Sequence, residues 1–225
     1  MRLSFIVPTK NESTTPGIVR GIYRKFGKGI EVIVIDKSDP EYRKPLYSTG
    51  ARVVVQKKGV YEHALVEGFR LARGDILVAI DPDGTYSVDG LKKIVDYIIE
   101  HKEYAYVGGD RLDCSSDAMP PSIKLGNRLF GALASLLMMQ GMRDTFSGSF
   151  AMRRKAYETI RGMDGYVAGP TIFQMALARK GFKVGCIPIT YKPRRGSKPK
   201  TTNVKQLFAF KLVWNMVVGR FRPIR

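Results

Sequence analysis

Residues 75–86 read DILVAIDPDGTY: an unbroken apolar run that stops on two aspartates one residue apart. The run has the length and continuous hydrophobicity of a strand buried on both faces, the kind found in parallel sheets with helices on either side. The change at Asp81 marks its carboxyl end, where open α/β sheets bind their ligands. Two carboxylates held so close repel each other, and burying them unpaired is costly. A divalent cation bound through oxygen resolves the repulsion. A turn that leaves both acids in water resolves it too, and the spacing alone does not choose.

The flanking sequence repeats the pattern. LSFIV (3–7), EVIVI (31–35), RVVVQ (52–56) and YAYVG (104–108) read as further strands. Residues 14–26, 61–72 and 88–100 carry apolar residues at helical spacing. Strands alternating with amphipathic helices define a doubly wound, mostly parallel, Rossmann-like α/β sheet with right-handed crossovers. Four strands run into polar segments, PTKNE, DKSD, DPDGTY and GGDR, and their carboxyl ends together describe one site. After Pro120–Pro121, residues 122–140 read as a strongly apolar helix, open to three readings: core, subunit contact or membrane contact. Segment 192–203, KPRRGSKPKTTN, is a basic loop ahead of an amphipathic helix at 204–219.

Charge narrows the partners. Lys and Arg number 38 against 20 Asp and Glu, a formal net charge of +18, and residues 192–225 contain no acid at all. Such a chain attracts phosphorylated ligands, anionic membranes or nucleic acid. The aromatics do not interleave with the basic run and no nucleic-acid motif is present, so nucleic acid is set aside. Neither G-x-G-x-x-G nor a G-x-x-x-x-G-K-[ST] loop occurs, so phosphates would be held by metal and basic side chains rather than a glycine cradle. Cys114 and Cys186 fit neither a metal spacing nor a disulfide framework. The opening MRLSFIVPTKNE, broken by Pro8, is not expected to be a secretory signal. The apolar stretch at 129–139 falls short of the roughly 20 residues a membrane span takes. A peripheral or monotopic protein on the cytoplasmic face of a membrane is expected, with its oligomeric state open.

Taken in order, SFIVPTKNE, VIVID, ARGDILVAIDPDGTY, RDTFSG and IPITYKPRRGSK resemble family 2 glycosyltransferases, and among them the dolichyl- or polyprenyl-phosphate hexose synthases. The likeness covers residues 3–200 and implies a GT-A catalytic domain over residues 1–200, the apolar interface helix at 122–140 included, with residues 201–225 as a basic amphipathic C-terminal helix. It implies a sugar-nucleotide donor, GDP-mannose first and UDP-glucose or another hexose donor second, with Mg2+ or Mn2+ and a polyprenyl or dolichyl phosphate acceptor. Pro8, Thr9, Asn11 and Glu12 match the donor-binding segment, and Asp36 the acid that contacts the nucleoside. Asp81 and Asp83 match the metal-binding D-x-D pair, with Asp83 the direct ligand. Asp144 matches the acid near the reacting carbon, while Arg194, Arg195 and Lys198 match a basic loop that closes over phosphates. Arg111, Lys124 and Arg128 match acceptor-side cations, the last two one helical turn apart.

Plainer roles stay open: Asp36 and Asp144 as caps, Lys124 and Arg128 as a solvated helix face, the RRGSK loop as a basic linker. The sequence also departs from the family pattern. Thr85 stands in place of a Gln, Tyr61 in place of the second glycine of a G-x-G that keeps Gly59, Phe150 in place of an Arg and Cys186 in place of a Glu.

An isoprenoid phosphate has a second pKa of about 6 and is mostly a dianion near neutrality. It can attack the anomeric carbon with inversion and without a strong base, so that catalysis falls to groups that stabilise the departing diphosphate: Asp83 through its metal, Arg194 and Lys198. A hydroxyl acceptor would need a base, and Asp144 is then the candidate.

Overall fold

The computed structural model describes residues 1–57, 59–161 and 169–194. The appendage at 201–225, Arg195 and Lys198 lie outside these. Seven strands form one sheet: β1 (Leu3–Thr9), β2 (Glu31–Asp36), β3 (Arg52–Val55), β4 (Ile76–Ala79), β5 (Tyr104–Asp110), β6 (Phe150–Arg153) and β7 (Lys183–Pro188). Their order is β3-β2-β1-β4-β6-β5-β7. Every pairing is parallel except those of β6, which runs antiparallel to both β4 and β5.

Because side chains alternate along a strand, the two faces of the sheet make two cores. Phe5, Val7, Val32, Val34 and Val78 pack on one face against α1 (Thr15–Phe26) and α4 (Val88–Glu100). Ile6, Ile33, Ile35 and Leu77 pack on the other against α3 (Tyr61–Leu71) and the C-terminal helices. The shorter α2 (Pro40–Arg43) and a 3-10 turn at Lys44–Thr49 lead into β3. Ser87 caps α4 by accepting the N–H of Gly90 at 3.0 Å.

The apolar helix expected at 122–140 forms as α5 (Pro121–Met138), inside the long excursion between β5 and β6. Gly131 seats it: a Cβ there would lie 2.1 Å from the Arg143 carbonyl oxygen, so the helix rests directly on the backbone leading to Asp144. After β6 come α6 (Arg154–Glu158), α7 (Pro170–Arg179) and β7. The side-chain amide of Gln140 covers the outer edge of β7, donating to the Phe182 carbonyl at 2.9 Å and accepting the Val184 N–H at 2.9 Å. An unpaired sheet edge is thereby blunted.

Candidate active site

The carboxyl ends of β1, β2, β4 and β5, with the start of β6, gather most of the expected residues. Beyond β1 the chain turns at Asn11, whose φ of 53° lies in the left-handed region that asparagine tolerates. Asn11 and Asp39 exchange hydrogen bonds, Asn11 Nδ2 donating to Asp39 Oδ2 and Asp39 N–H to Asn11 Oδ1, each at 2.8 Å. Asn11 N–H also donates to Ser38 Oγ at 2.8 Å, which clips the first strand end to the second. Thr9 is buried, its hydroxyl 2.8 Å from that of Thr15, and Pro8 lies within β1. Pro8, Thr9 and Asn11 therefore shape the loop, while Glu12 supplies the charge that reaches the site.

Asp36 ends β2 with no exposed surface. Its Oδ1 accepts the Ser38 N–H at 3.0 Å and its Oδ2 the Nε of Arg43 at 2.5 Å. It does not cap α2. Arg43 was not singled out in the sequence, since nothing in a four-residue helix marks a cation aimed at an acid behind it.

The D-x-D pair divides in two. Asp81 Oδ1 accepts the phenol of Tyr61 at 2.6 Å. Its Oδ2 lies over Gly148, where a Cβ would sit 1.9 Å away, so only glycine fits between β6 and this carboxylate. Burial pushes the Asp81 carboxyl up to about 6; the Tyr61 hydrogen bond opposes that rise, and the neighbouring charge of Asp83 adds to it. Asp83 Oδ1 accepts both the backbone N–H (3.1 Å) and the hydroxyl (2.6 Å) of Thr85. Its Oδ2 faces Arg194 Nη1 at 3.6 Å. The other terminal nitrogen of Arg194 donates to Glu12 Oε1, while its buried Nε has no hydrogen-bond acceptor among the described residues.

Arg194 is brought here by a short pairing of the chain against the segment after β4. Tyr191 bridges Tyr86, and Lys192 N–H donates to the Thr85 carbonyl at 2.9 Å.

Asp144 is fully buried and accepts four hydrogen bonds: Arg111 Nε at 2.7 Å, Arg111 Nη2 at 2.9 Å, Arg111 N–H at 3.1 Å and Phe146 N–H at 3.2 Å. Arg111, expected on the acceptor side, is held as the bidentate partner of Asp144. Its remaining nitrogen, Nη1, donates to the Tyr86 hydroxyl at 3.1 Å, and its guanidinium stands 5.3 Å from the Tyr191 ring centroid. Tyr86 also accepts the Gly148 N–H at 2.7 Å, and burial pushes its phenol up. This tyrosine links the Asp144 pair to the glycine beneath Asp81. Its neighbours lie far off in sequence, so no local motif could have exposed the role.

Lys124 donates to the Cys114 carbonyl and ties α5 to the loop before it, whereas Arg128 is exposed. Leu125, Leu129, Leu136 and Met139 form an exposed stripe beside them, 59%, 63%, 76% and 81% accessible. The three leucines, four and seven residues apart, share one face of α5, and Met139 follows just past its end. Among the described residues no helix is long and apolar enough to cross a membrane. A cavity of about 380 Å3, lined among others by Tyr97, Tyr104, Lys183 and Cys186, opens at the outer edge of β7 and includes none of the site carboxylates.

No cluster of three metal-binding side chains occurs among the described residues. The carboxylates nevertheless fit a magnesium-type ion, which takes one or two protein carboxylates and completes its shell with phosphate oxygens and water, while the unmet guanidinium nitrogen fits a phosphate oxygen.

A mostly parallel sheet of this order, with acids at the mouth of β4 and an antiparallel β6 beside them, is the GT-A fold of glycosyltransferases. Residues 4–161 match the family model described as glycosyl transferase family 2, and the chain belongs to that family. A dolichyl-phosphate hexose transferase of Haloferax volcanii is 29% identical over 195 residues, 86% of this chain and 84% of that protein. A dolichol-phosphate mannosyltransferase of Pyrococcus furiosus is 26% identical over 217 residues, 89% of this chain but only 59% of the relative. Among solved structures, glucosyl-3-phosphoglycerate synthase from Mycobacterium tuberculosis, in complex with Mn2+, UDP-glucose and phosphoglyceric acid, shares the fold with a TM-score of 0.73. The two are 17% identical, with 99% of this chain and 80% of that one covered.

Proposed function

We propose that this glycosyltransferase moves a hexose from a sugar nucleotide to a polyprenyl or dolichyl phosphate at a membrane surface, with mannose from GDP-mannose as the first donor to test and UDP-glucose the second. The observation that carries the reading is the state of Asp144. A hydroxyl acceptor requires a base, and the acid best placed for it is enclosed by four hydrogen bonds with Arg111 held across it. A phosphate acceptor arrives with its own nucleophilic oxygen and needs no such base. The names of the Haloferax and Pyrococcus relatives point the same way.

In this reading the acceptor oxygen forms a bond to the anomeric carbon as the bond from that carbon to the nucleoside diphosphate breaks, with inversion. Glu12, Asp81 and Asp83 orient the donor, and the orphan Nε of Arg194 has its acceptor in a diphosphate oxygen. Mg2+ or Mn2+ held by Asp83, beside Asp81, would neutralise charge growing on the leaving group. Arg195 and Lys198 belong to the same basic segment and are assigned to the phosphates. Arg128 and Lys124 stand beside the exposed stripe of α5, which we place against the lipid headgroups so that a lipid-borne phosphate meets the site at the membrane plane.

The test is transfer of label from GDP-mannose and UDP-glucose, with Mn2+ or Mg2+, to a short polyprenyl phosphate in detergent, read in the organic extract. Lipid-soluble product supports the reading, and its loss by at least about a hundredfold in Asp83→Ala supports the metal assignment. Label confined to a water-soluble saccharide would overturn the acceptor, and full activity in Asp83→Ala would overturn the site.

A further inference from the structure

Tyr61 begins α3, a helix whose buried face packs into the sheet core, yet the residue itself is 37% exposed. The ring is therefore held at the rim of the site rather than in the core. Its hydroxyl spends its proton on one atom, Asp81 Oδ1, at 2.6 Å. The opposite oxygen of that carboxylate is pressed against Gly148, with no room for even one more carbon. Together these contacts fix both the direction and the rotation of the Asp81 carboxylate. Asp83 is held from the other side: its own-loop neighbour Thr85 engages Oδ1 and leaves Oδ2 turned toward Arg194. Without a fixed orientation, Asp81 would turn toward any cation shared with Asp83, since opposite charges a few ångströms apart attract strongly where water is scarce. Tyr61 also stands at a place where the sequence departs from the G-x-G pattern, so the contact belongs to this chain's own residues.

We propose that Tyr61 is a positioning residue: its phenol holds the Asp81 carboxylate toward the hydroxyl groups of the sugar nucleotide, leaving Asp83 to the diphosphate and its metal. This rests on the donor class proposed above and deepens it. A carboxylate oxygen that accepts one hydrogen bond from Tyr61 keeps a second lone pair for a donor hydroxyl. The orientation acts on recognition of the sugar nucleotide and not on metal binding.

The experiment is a double-mutant cycle on Tyr61→Phe and Asp81→Asn, read as the dissociation constant of GDP-mannose or UDP-glucose in saturating Mn2+ by calorimetry. Mn2+ affinity is measured separately from the paramagnetic signal of the free ion. Tyr61→Phe keeps the ring and should weaken donor binding roughly tenfold, the effect of losing one hydrogen bond to a charged acceptor. In the Asp81→Asn background the same change should add little, because the two residues act through one contact. Mn2+ affinity should be unchanged by Tyr61→Phe. Additive effects, an unchanged donor constant, or Mn2+ binding that weakens in Tyr61→Phe would each overturn the proposal. Binding is read without transfer, so a protein that binds the donor and fails to glycosylate polyprenyl phosphate sinks the acceptor reading alone.

Discussion

Two arginine–carboxylate contacts lie beside the same strand ends and are built in opposite ways. Arg111 and Asp144 are almost wholly enclosed, with both carboxylate oxygens and every guanidinium nitrogen engaged. Arg194 reaches Glu12 and Asp83 from a segment held by little more than a one-residue bridge, at 3.6 Å from Asp83, and leaves its Nε unmet. In the first pair the carboxylate is filled by four donors, and removing either partner strands a buried charge. The second keeps one buried donor, Arg194 Nε, without an acceptor among the described residues. Saturation of hydrogen bonds, rather than charge or proximity to the site, separates a structural ion pair from a working one.

The comparison breaks first at Arg111. Arg111→Met leaves a buried, uncompensated carboxylate and should cost about 3–5 kcal/mol of stability in a denaturant titration, part of it recovered when Asp144→Leu is added. A single variant as stable as the wild type would show that this pair is not cement. Arg194→Ala should behave the other way: transfer falls roughly ten- to a hundredfold, as when one charged donor to a developing oxyanion is lost, while the unfolding midpoint barely moves. If stability falls and activity does not, the two pairs have been assigned in reverse.

The smallest effect sharpens the contrast through pH. Asp81 has its folded-state pKa raised to about 6, largely by burial, above the unfolded value of about 3.9. The folded chain therefore carries this charge at a disadvantage above pH 6, the disadvantage shrinks as pH falls through 6, and below about 4 it is gone. Asp81→Asn should stabilise the ligand-free protein by on the order of 1 kcal/mol at pH 7.5 and by nothing near pH 4. Thermal melts at the two pH values decide it.

How much of this could be read from the residues follows from where each signal resides. The strands from β1 to β5 and the helices between them announce themselves, because a strand buried on both faces is apolar throughout and a helix on one face is apolar at regular intervals; α4 was legible to the residue at 88–100. β6 was not legible, being four residues long and antiparallel inside a parallel sheet. Nor was α7, whose residues 173–178 are all buried, so that it shows no polar face to set a period. In the site, the aspartates were legible because a charge after an apolar strand is conspicuous. Tyr61, Tyr86 and Arg43 were not, since each is defined by a partner the fold supplies. The pairing of Arg111 with Asp144 was hidden for the same reason: sequence shows a charge but not whether it is already neutralised.

The antiparallel β6 has a consequence for how such an enzyme changes its acceptor. β5 and β6 are hydrogen-bonded neighbours, with Gly108 opposite Phe150. Everything from residue 111 to residue 149, α5 with its apolar stripe and Asp144 included, leaves the sheet and returns to it one strand spacing away. An excursion with adjacent ends is a cassette. Its exposed stripe can be rewritten without disturbing the strands, provided that Arg111, Asp144 and Gly148, the seat at Gly131, the Gln140 clasp on β7 and the core contacts of Ala134, Met138 and Met142 are kept. Exchanging residues 112–142 with the matching stretch of a relative therefore tests whether this excursion, rather than the strands, sets the choice of acceptor.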